Sequence, residues 1–275
     1  MRSIALALGA SLTWGFADFF GPLKGRTLGA LRVLFYAQIG GLAGIALIIA
    51  VRGKGPADVG ALLAIPAAIS GTLGLYAFYR GMAVGAMSIV APISGVSAAV
   101  PVVVGIVSGD RPSLSQWLGI PAALGGVFLA SREPGRGGKV AAGVGLALLA
   151  AIGFGGYFPP MHAAGVADFW WAVLIFRMTS ASVILGAVAI RRPSLAVEPL
   201  QVPLLALIGT GDMAGNLLFA AASTSGLVSI TSVLASLYPI VTVLLARLVL
   251  KERVARSQEA GIALTLAGVA LISAG

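Results

Sequence analysis

The chain has 275 residues, of which 59% are apolar and only 10% are charged, and its mean hydropathy is +1.02. Soluble domains are about 45–50% apolar and about 25% charged, so this chain has too few polar side chains to cover the surface of a soluble globular protein. The net charge of +9 does not indicate nucleic-acid binding, because the basic residues lie singly or in short clusters between long apolar runs. These values indicate a polytopic membrane protein surrounded by a lipid bilayer.

The residue types also exclude several kinds of site. The sequence contains no cysteine, which excludes disulfides, thiolate nucleophiles and cysteine-based metal sites. His162 is the only histidine, so a multi-histidine zinc or haem site is excluded as well. We expect His162 in a loop after Pro159 and Pro160. We also expect no metal site and no cofactor.

Residues 1–20 carry one basic residue followed by an apolar run, as a signal peptide does. They contain no convincing small-x-small cleavage site before a soluble region, and further apolar spans follow. We therefore predict a retained first transmembrane helix.

Long apolar stretches occupy most of the chain. A helix that crosses a bilayer needs about 20 mostly apolar residues. Breaks at charged, Gly or Pro clusters divide the sequence into ten such stretches, which leaves loops of only a few residues. The predicted fold class is all-α, a polytopic membrane protein of ten transmembrane helices at about 3–21, 30–51, 57–79, 86–108, 115–131, 141–160, 168–190, 202–222, 227–249 and 257–274.

The two halves of the sequence repeat one another. MSIVAPISG at 87–95 resembles VSITSVLAS at 228–236, and both segments run on into a charged turn and a small-residue helix. We predict a first five-helix repeat in residues 1–131, a linker in 132–140 and a second five-helix repeat in 141–275. Because five is odd, the two repeats cross the membrane in opposite directions. Such inverted repeats occur in secondary transporters, with the substrate site at the midplane between them. A duplicated bundle without transport is the alternative.

The repeated motifs resemble a known family. DRPSLSQWLGI at 110–120, GGVFLAS at 125–131 and the long segment 235–273 resemble the drug/metabolite transporter superfamily, EamA type, over essentially the whole chain. The resemblance implies a multi-pass transporter of the cytoplasmic (inner) membrane that exports amino acids, metabolites or drugs without ATP. It also implies a central cavity lined by spans 1, 3, 4, 6, 8 and 9, with spans 5 and 10 at the periphery. The chain has no G-x-x-x-x-G-K-[ST] motif, which agrees with a transporter that is not an ATPase.

Ionisable side chains at membrane depth are costly and usually face a cavity or a partner. Asp212 is predicted at the centre of span 8 and Arg177 near the centre of span 7, at depths that allow an ion pair. Asp212 is either a proton or cation site that couples transport to a gradient, or one member of a structural brace with Arg177. For Asp18, towards the end of span 1, we favour a helix-end cap near Lys24 and Arg26 over a position at a cavity mouth.

Aromatic and amide side chains are the predicted substrate contacts. Aromatic rings offer apolar surface and attract cations, and buried polar tips give direction. The alternative for the tryptophans and tyrosines is the interfacial belt of membrane proteins. The predicted substrate-binding residues are Trp14, Tyr76, Tyr79, Phe154, Tyr157, Asn216, Ser236 and Tyr238.

Three prolines interrupt spans 4 and 9, which are related by the repeat. Proline removes a helical hydrogen bond and kinks the helix. We predict that Pro92, Pro101 and Pro239 allow these spans to bend and gate the cavity. Gly211 and Gly215 have the spacing that lets transmembrane helices pack closely.

The distribution of lysine and arginine predicts the orientation, because cytoplasmic loops are enriched in them. With Arg177 left out as a mid-span residue, the side bearing the termini holds 4 of these residues and the opposite side holds 13. This count places both termini outside the cytoplasm, whereas the family resemblance implies cytoplasmic termini. The orientation stays open at this point.

Together these observations favour a secondary active exporter that works by alternating access, with protons as a candidate coupling ion. An intramembrane enzyme is disfavoured, because the chain has no H-E-x-x-H and no G-x-S-x-G motif, and we expect no enzymatic activity. A structural membrane protein or a passive channel is a further alternative. The expected partners are the bilayer and a small-molecule substrate, with no nucleic acid, and the expected state is a monomer or a weak homodimer.

Overall fold

The computed structural model describes residues 2–100, 113–131, 140–225, 234–235 and 237–273. Within these ranges the chain folds into α-helices with short connections. Two short 3-10 helices span Val59–Leu63 and Val96–Ala98. The helices are α1 Arg2–Leu28, α2 Ala30–Arg52, α3 Ala64–Val84, α4 Met87–Gly95, α5 Leu114–Ser131, α6 Val144–Gly155, α7 Phe158–Arg191, α8 Gln201–Ser225, α9 Tyr238–Val249 and α10 Arg256–Ser273.

One of these helices lies at each of the ten predicted spans. The all-α fold is therefore confirmed for the described residues, and the protein is an integral multi-pass membrane protein. The number of ten crossings stays a prediction. By length and hydropathy, five described stretches suffice to cross a membrane: Arg2–Leu28, Ala30–Arg52, Val59–Val84, Val144–Arg191 and Gln201–Ser225.

The loop predicted between spans 6 and 7 is helical in the structure. Pro159 and Pro160 lie in the first turn of α7, where a helix does not need the backbone N–H group that proline lacks. These prolines therefore begin a helix instead of interrupting one. His162 consequently lies within α7 and not in a loop, and its Nδ1 is buried without a hydrogen-bond partner in the described part of the chain.

Asp168 divides α7 into two parts. Its backbone is extended (φ −164°, ψ 101°), and its Oδ1 accepts hydrogen bonds from the amides of Trp170 at 3.0 Å and Trp171 at 3.2 Å, so it caps the second part. The 48 residues from Val144 to Arg191 would measure about 72 Å as one straight helix, more than twice the roughly 30 Å of a bilayer core. The break agrees with the span boundary predicted at residue 168.

The two halves of the chain interleave. Helices α1 and α2 pack against α8, and α3 packs against α6 and α7, while α4 contacts α9 and α5 lies along α10. One buried apolar cluster accordingly combines both halves, with Phe78 of α3, Ala147 of α6 and Leu205 of α8. Large apolar side chains such as Leu73 and Leu149 point outward and are exposed, as contact with lipid requires.

Helices α5 and α10 approach each other through glycines. Gly126 lies against the backbone of Gly261 and Thr265, and Gly119 lies against the backbone of Gly268. A Cβ atom at any of these four glycines would collide with the backbone of the opposite helix. Small residues permit such backbone contact, and van der Waals packing then drives helix association in lipid.

Glu252, in the connection between α9 and α10, binds the start of α4. Its carboxylate accepts hydrogen bonds from the amides of Met87 at 3.2 Å and Ser88 at 3.0 Å and from the Ser88 hydroxyl at 2.8 Å. Arg26, near the end of α1, lies 3.5 Å from the same carboxylate and donates to the carbonyl of Gly85 at 2.9 Å. Because the first N–H groups of a helix have no partner within it, the carboxylate stabilises α4 and ties it to the second half.

Replacing Gly126 by Ala will destabilise the contact between α5 and α10, because the new Cβ meets the Thr265 backbone. Overpacking of this kind costs about 1–3 kcal/mol. The adjacent Gly125→Ala is the matched control, since its Cβ would have only Leu264 Cδ2 nearby, at 3.8 Å. Thermal unfolding in detergent should give a lower Tm for Gly126→Ala and an unchanged or higher Tm for Gly125→Ala. Equal Tm values for the two variants would contradict the proposed packing.

Candidate functional site

A cavity lies between the two halves of the helix bundle. It contains about 560 Å³ of empty space, including the part that is open to the outside. Its lining residues come from helices α1, α2 and α3 of the first half and from the segment that holds α6 to α9 in the second half. The aromatic lining residues are Trp14, Phe154, Tyr157, Phe158, Phe176 and Tyr238, and the polar lining residues are Asp18, Gln38, Thr72, Ser180, Asp212 and Asn216.

The walls differ in part from the cavity that the family resemblance implied. Spans 2 and 7 contribute Gln38, Phe176 and Ser180, although neither span was expected to line the cavity. Span 4 was expected to contribute, but no residue of α4 is in the lining; its described residues are buried in the apolar packing against α6 and α9. In the described parts of α5 and α10, no residue reaches the cavity.

Most of the predicted substrate-binding residues lie together in the cavity, namely Trp14, Phe154, Tyr157, Asn216 and Tyr238. Tyr79 lines a smaller adjoining cavity. Tyr76 does not line either cavity: it lies about 100° around α3 from Leu75, which faces both cavities, and it packs against the apolar core. Ser236 lies outside the described residues.

Two glycines on α8 bring the neighbouring helices up to Asp212. Gly209 lies directly against the Ala37 backbone of α2, and Gly215 lies against the Trp14 indole of α1. A side chain at either position would push α2 or α1 away from Asp212. Gly211, which the sequence spacing singled out together with Gly215, has no neighbouring atom near its Cβ position, so Gly209 takes the packing role instead.

Arg177 and Asp212 form an ion pair beside the cavity. Arg177 Nη2 lies 2.5 Å from Asp212 Oδ2, and Arg177 Nη1 donates a hydrogen bond to Gln38 Oε1 at 3.2 Å. The Arg177 side chain is fully buried, and 20% of the Asp212 side chain is exposed. Three helices, α2, α7 and α8, therefore converge on one guanidinium group. Gln38 was not identified from the sequence, because a glutamine within an apolar helix has no spacing that marks it.

Asp18 lies in the cavity, and its assignment as a helix-end cap is wrong. Helix α1 continues past it to Leu28, so Asp18 occupies a mid-helix position. It is only 7% exposed, lines both cavities, and has no hydrogen-bond donor or cation paired with its carboxylate among the described residues. The spacing of Trp14 and Asp18 at i and i+4, which places both on one helix face, is the signal that could have identified it.

Two pairs of uncharged polar side chains in the lining are joined by hydrogen bonds. Thr72 Oγ1 donates to Ser180 Oγ at 2.7 Å, which joins α3 to α7. The Tyr157 hydroxyl donates to Asn216 Oδ1 at 3.1 Å. Buried polar groups that are satisfied in this way are kept in fixed positions.

The aromatic side chains form a continuous row of ring contacts. Its ring centroids are separated by 5.4 Å between Phe176 and Tyr157, 5.3 Å between Tyr157 and Phe158, and 6.2 Å between Trp14 and Tyr238. Phe219 lies behind the cavity and joins Phe158 to Trp14, at 5.8 Å and 5.7 Å. These distances are typical of edge-to-face and tilted aromatic pairs, which makes the row a rigid wall.

Two of the predicted gating prolines lie in α4 and α9, which contact each other. Pro92 lies inside α4, which changes to a 3-10 helix at Val96, and Pro239 lies in the first turn of α9. Gly95 packs against Pro239, since a Cβ at Gly95 would lie 3.0 Å from Pro239 Cγ. Pro101 lies outside the described residues. The gating role of these prolines stays a prediction.

The arrangement of two interleaved halves agrees with a sequence comparison. The profile of the EamA-like transporter family matches residues 1–132 and 141–274, once for each half. The chain belongs to the EamA-like transporter family. This places it in the drug/metabolite transporter superfamily, as its motifs predicted.

Solved structures show the same fold for this EamA-like chain. Fifteen solved chains match it. One, titled only "Crystal structure of protein", has a TM-score of 0.64 at 15% sequence identity over 98% of this chain and 95% of its own. At this identity the likeness concerns the fold alone. The curated protein sequences contain no match.

Removing Arg177 alone will destabilise the protein, because it leaves the Asp212 carboxylate without its partner. We expect Arg177→Leu to cost about 3–5 kcal/mol, and the double variant Arg177→Leu/Asp212→Leu to recover part of this loss. A double-mutant cycle in a reversible unfolding assay in mixed micelles measures the coupling. The control is Arg247→Leu, whose pair with Glu259 is exposed and should contribute less than about 1 kcal/mol. Equal losses for Arg177→Leu and Arg247→Leu would contradict a stabilising buried pair.

Proposed function

We propose that the protein is a secondary active transporter that exports small metabolites, amino acids or drugs from the cell across the cytoplasmic membrane. The observation that carries this proposal is the cavity between the halves, where polar and aromatic side chains face a common space inside an otherwise apolar bundle. Binding sites for small molecules combine apolar walls with a few placed polar groups in this way. Membership of a transporter family supports the same conclusion.

The proposed mechanism is alternating access between two inverted five-helix repeats with ten crossings. The packing supports it, because exchanging the repeats turns the main contacts between the two halves into contacts that are also present. The contact of α1 with α8 corresponds to that of α6 with α3, while the pairs α4 with α9 and α5 with α10 correspond to themselves. In the last pair, the contact of Gly119 with Gly268 corresponds to that of Gly126 with Gly261.

The gates are proposed to lie in spans 4 and 9. Helix α4 is short, contains Pro92 and is tied at its start to Glu252 of the second half. Its other end meets Pro239 through Gly95. Bending at these prolines would move the ends of spans 4 and 9 while leaving the glycine-packed pair of α5 and α10 in place.

Asp212 is the proposed coupling residue. Its carboxylate is partly exposed to the cavity and is faced by Arg177 from α7, Gln38 from α2 and Asp18 from α1. Release of the ion pair when a proton binds would change the contact between α7 and α8, and this change could be passed on to the gates. The alternative is a silent brace between these two helices.

Transport in proteoliposomes tests both parts of this proposal. Vesicles preloaded with a metabolite mixture should release specific solutes when an inward proton gradient is imposed, as measured by mass spectrometry of the external medium. Asp212→Asn should remove the stimulation by the gradient, whereas Glu259→Gln, in an exposed pair, should not. No carrier-dependent release would overturn the transport proposal. Unchanged proton dependence and rate in Asp212→Asn would assign Asp212 to the brace.

The proposed orientation places both termini outside the cytoplasm. Arg26 and Arg32 share one end of the bundle with the connections after α9 and α7, since Arg26 contacts Glu252 and Arg32 Nε donates to the Ser194 carbonyl at 2.6 Å. Arg52 lies at the other end, where its guanidinium stacks over the Trp170 ring at 4.2 Å. Arg26 and Arg32 therefore lie at the end of the bundle that belongs to the side with 13 lysine and arginine residues, and Arg52 lies at the end that belongs to the side with 4. This placement supports the count from which the orientation is inferred.

A reporter fused to the C-terminus and active only outside the cytoplasm should be active in whole cells, because the richly basic side is retained in the cytoplasm. A matched fusion to a reporter active only inside the cytoplasm should be silent. The reverse pattern would place the termini in the cytoplasm.

A further inference from the structure

The charges in and beside the cavity do not balance. Asp212 is paired with Arg177, so these two charges cancel. Asp18 faces the same space, is 7% exposed, and has no cationic partner in the described ranges. An ionised carboxylate buried without a partner is unfavourable, and a positive charge brought into the cavity would remove that penalty.

Among its described lining residues, the main cavity also has no cationic side chain to receive a negative charge. Arg177 is absent from the lining of the main cavity, its side chain is fully buried, and its two terminal nitrogens bond to Asp212 and Gln38. Among the uncharged groups, the Thr72 hydroxyl donates to Ser180 and the Tyr157 hydroxyl donates to Asn216. A carboxylate on a substrate would therefore meet two acidic residues and no unpaired cation in the described lining.

The aromatic row provides the second component of a cation site, which is a surface of aromatic rings. The faces of Trp, Tyr and Phe rings attract ammonium groups, most strongly where water is excluded. Trp14 lies one helical turn before Asp18, and its ring packs against Tyr238 at an interplanar angle of 80°. Asp18 and the Trp14 end of the aromatic row thus lie on the same face of α1.

We infer that this transporter binds organic cations, namely ammonium compounds with an apolar body and no carboxylate, with Asp18 as the counter-ion and the aromatic row as the apolar surface. This inference rests on the proposed function and narrows its substrate class. Amino acids, which carry a carboxylate beside the ammonium group, are disfavoured by the same arrangement.

Three probes with the same phenylethyl body and different charges test the substrate class. At pH 7, 2-phenylethylammonium is a cation, phenylalanine is a zwitterion and 3-phenylpropionate is an anion. The full-length protein in detergent is titrated with each probe, and the Tm is recorded, since binding to the folded state raises it. We expect 2-phenylethylammonium to raise the Tm in a saturable manner and the other two to have little effect. Binding of phenylalanine or 3-phenylpropionate at least as tight as that of the amine, or no binding of the amine, would overturn the inference.

Two variants with the same change in net charge test the counter-ion. Asp18→Asn should weaken binding of 2-phenylethylammonium at least about tenfold, as expected for a charged contact. Glu198→Gln, an exposed residue in the connection between α7 and α8, should not change it. Equal Kd values for the two variants would overturn the role of Asp18. The comparison of probes on the unmodified protein needs no variant, so the inference can be tested even if Asp18→Asn does not fold.

The outcomes separate this inference from the proposed function. If proteoliposomes release zwitterionic or anionic solutes but no cation, the protein is a transporter and the cation inference is wrong. If no solute is released but 2-phenylethylammonium binds in an Asp18-dependent manner, the site is correct and the transport proposal is wrong.

Discussion

The buried guanidinium of Arg177 is the constraint that determines how the polar side chains around it are paired. It cannot reach water, so an acceptor and a counter-charge have to come from other helices. Gln38 on α2 and Asp212 on α8 meet this need, and they can do so only because α8 approaches α2 closely at Gly209. Glycine packing and charge pairing therefore depend on each other: the small residues allow the approach, and the ion pair fixes the depth at which the helices meet.

This arrangement also determines the character of the cavity. Because Arg177 pairs with Asp212 and Gln38, Asp18 is the acidic lining residue that is left without a cationic partner among the described residues. The lining residues include six aromatic side chains, and the hydroxyls of Thr72 and Tyr157 donate to Ser180 and Asn216. A cavity between two halves is general for this architecture, whereas its unpaired carboxyl group and its aromatic lining come from individual residues of this chain.

Much of the fold could be predicted from the sequence, because apolar periods and breaks are local properties. A helix is present at each predicted span, and the two-repeat organisation agrees with the family match. The predictions were wrong where one local sequence pattern is compatible with two different structures. The sequence predicts a loop after Pro159 and Pro160, although proline in a first turn begins a helix. Asp18 was interpreted as a cap because Lys24 and Arg26 are near in sequence, although α1 continues past them and Arg26 binds Glu252.

The sequence by itself determined that the protein is a membrane protein, where its helices lie and to which family its motifs belong. It also identified Asp212 and Arg177 as charges at membrane depth. Only the tertiary structure decided which carboxylate is paired and which one faces the cavity alone. It also decided that Tyr157 lies on the cavity wall and Tyr76 against the core. The reason is physical, because the pairing of the carboxylates and the placement of the tyrosines depend on distances between helices that are far apart in the chain. Close packing at glycines fixes those distances, and the spacing of the glycines in the sequence does not show which helix each of them contacts.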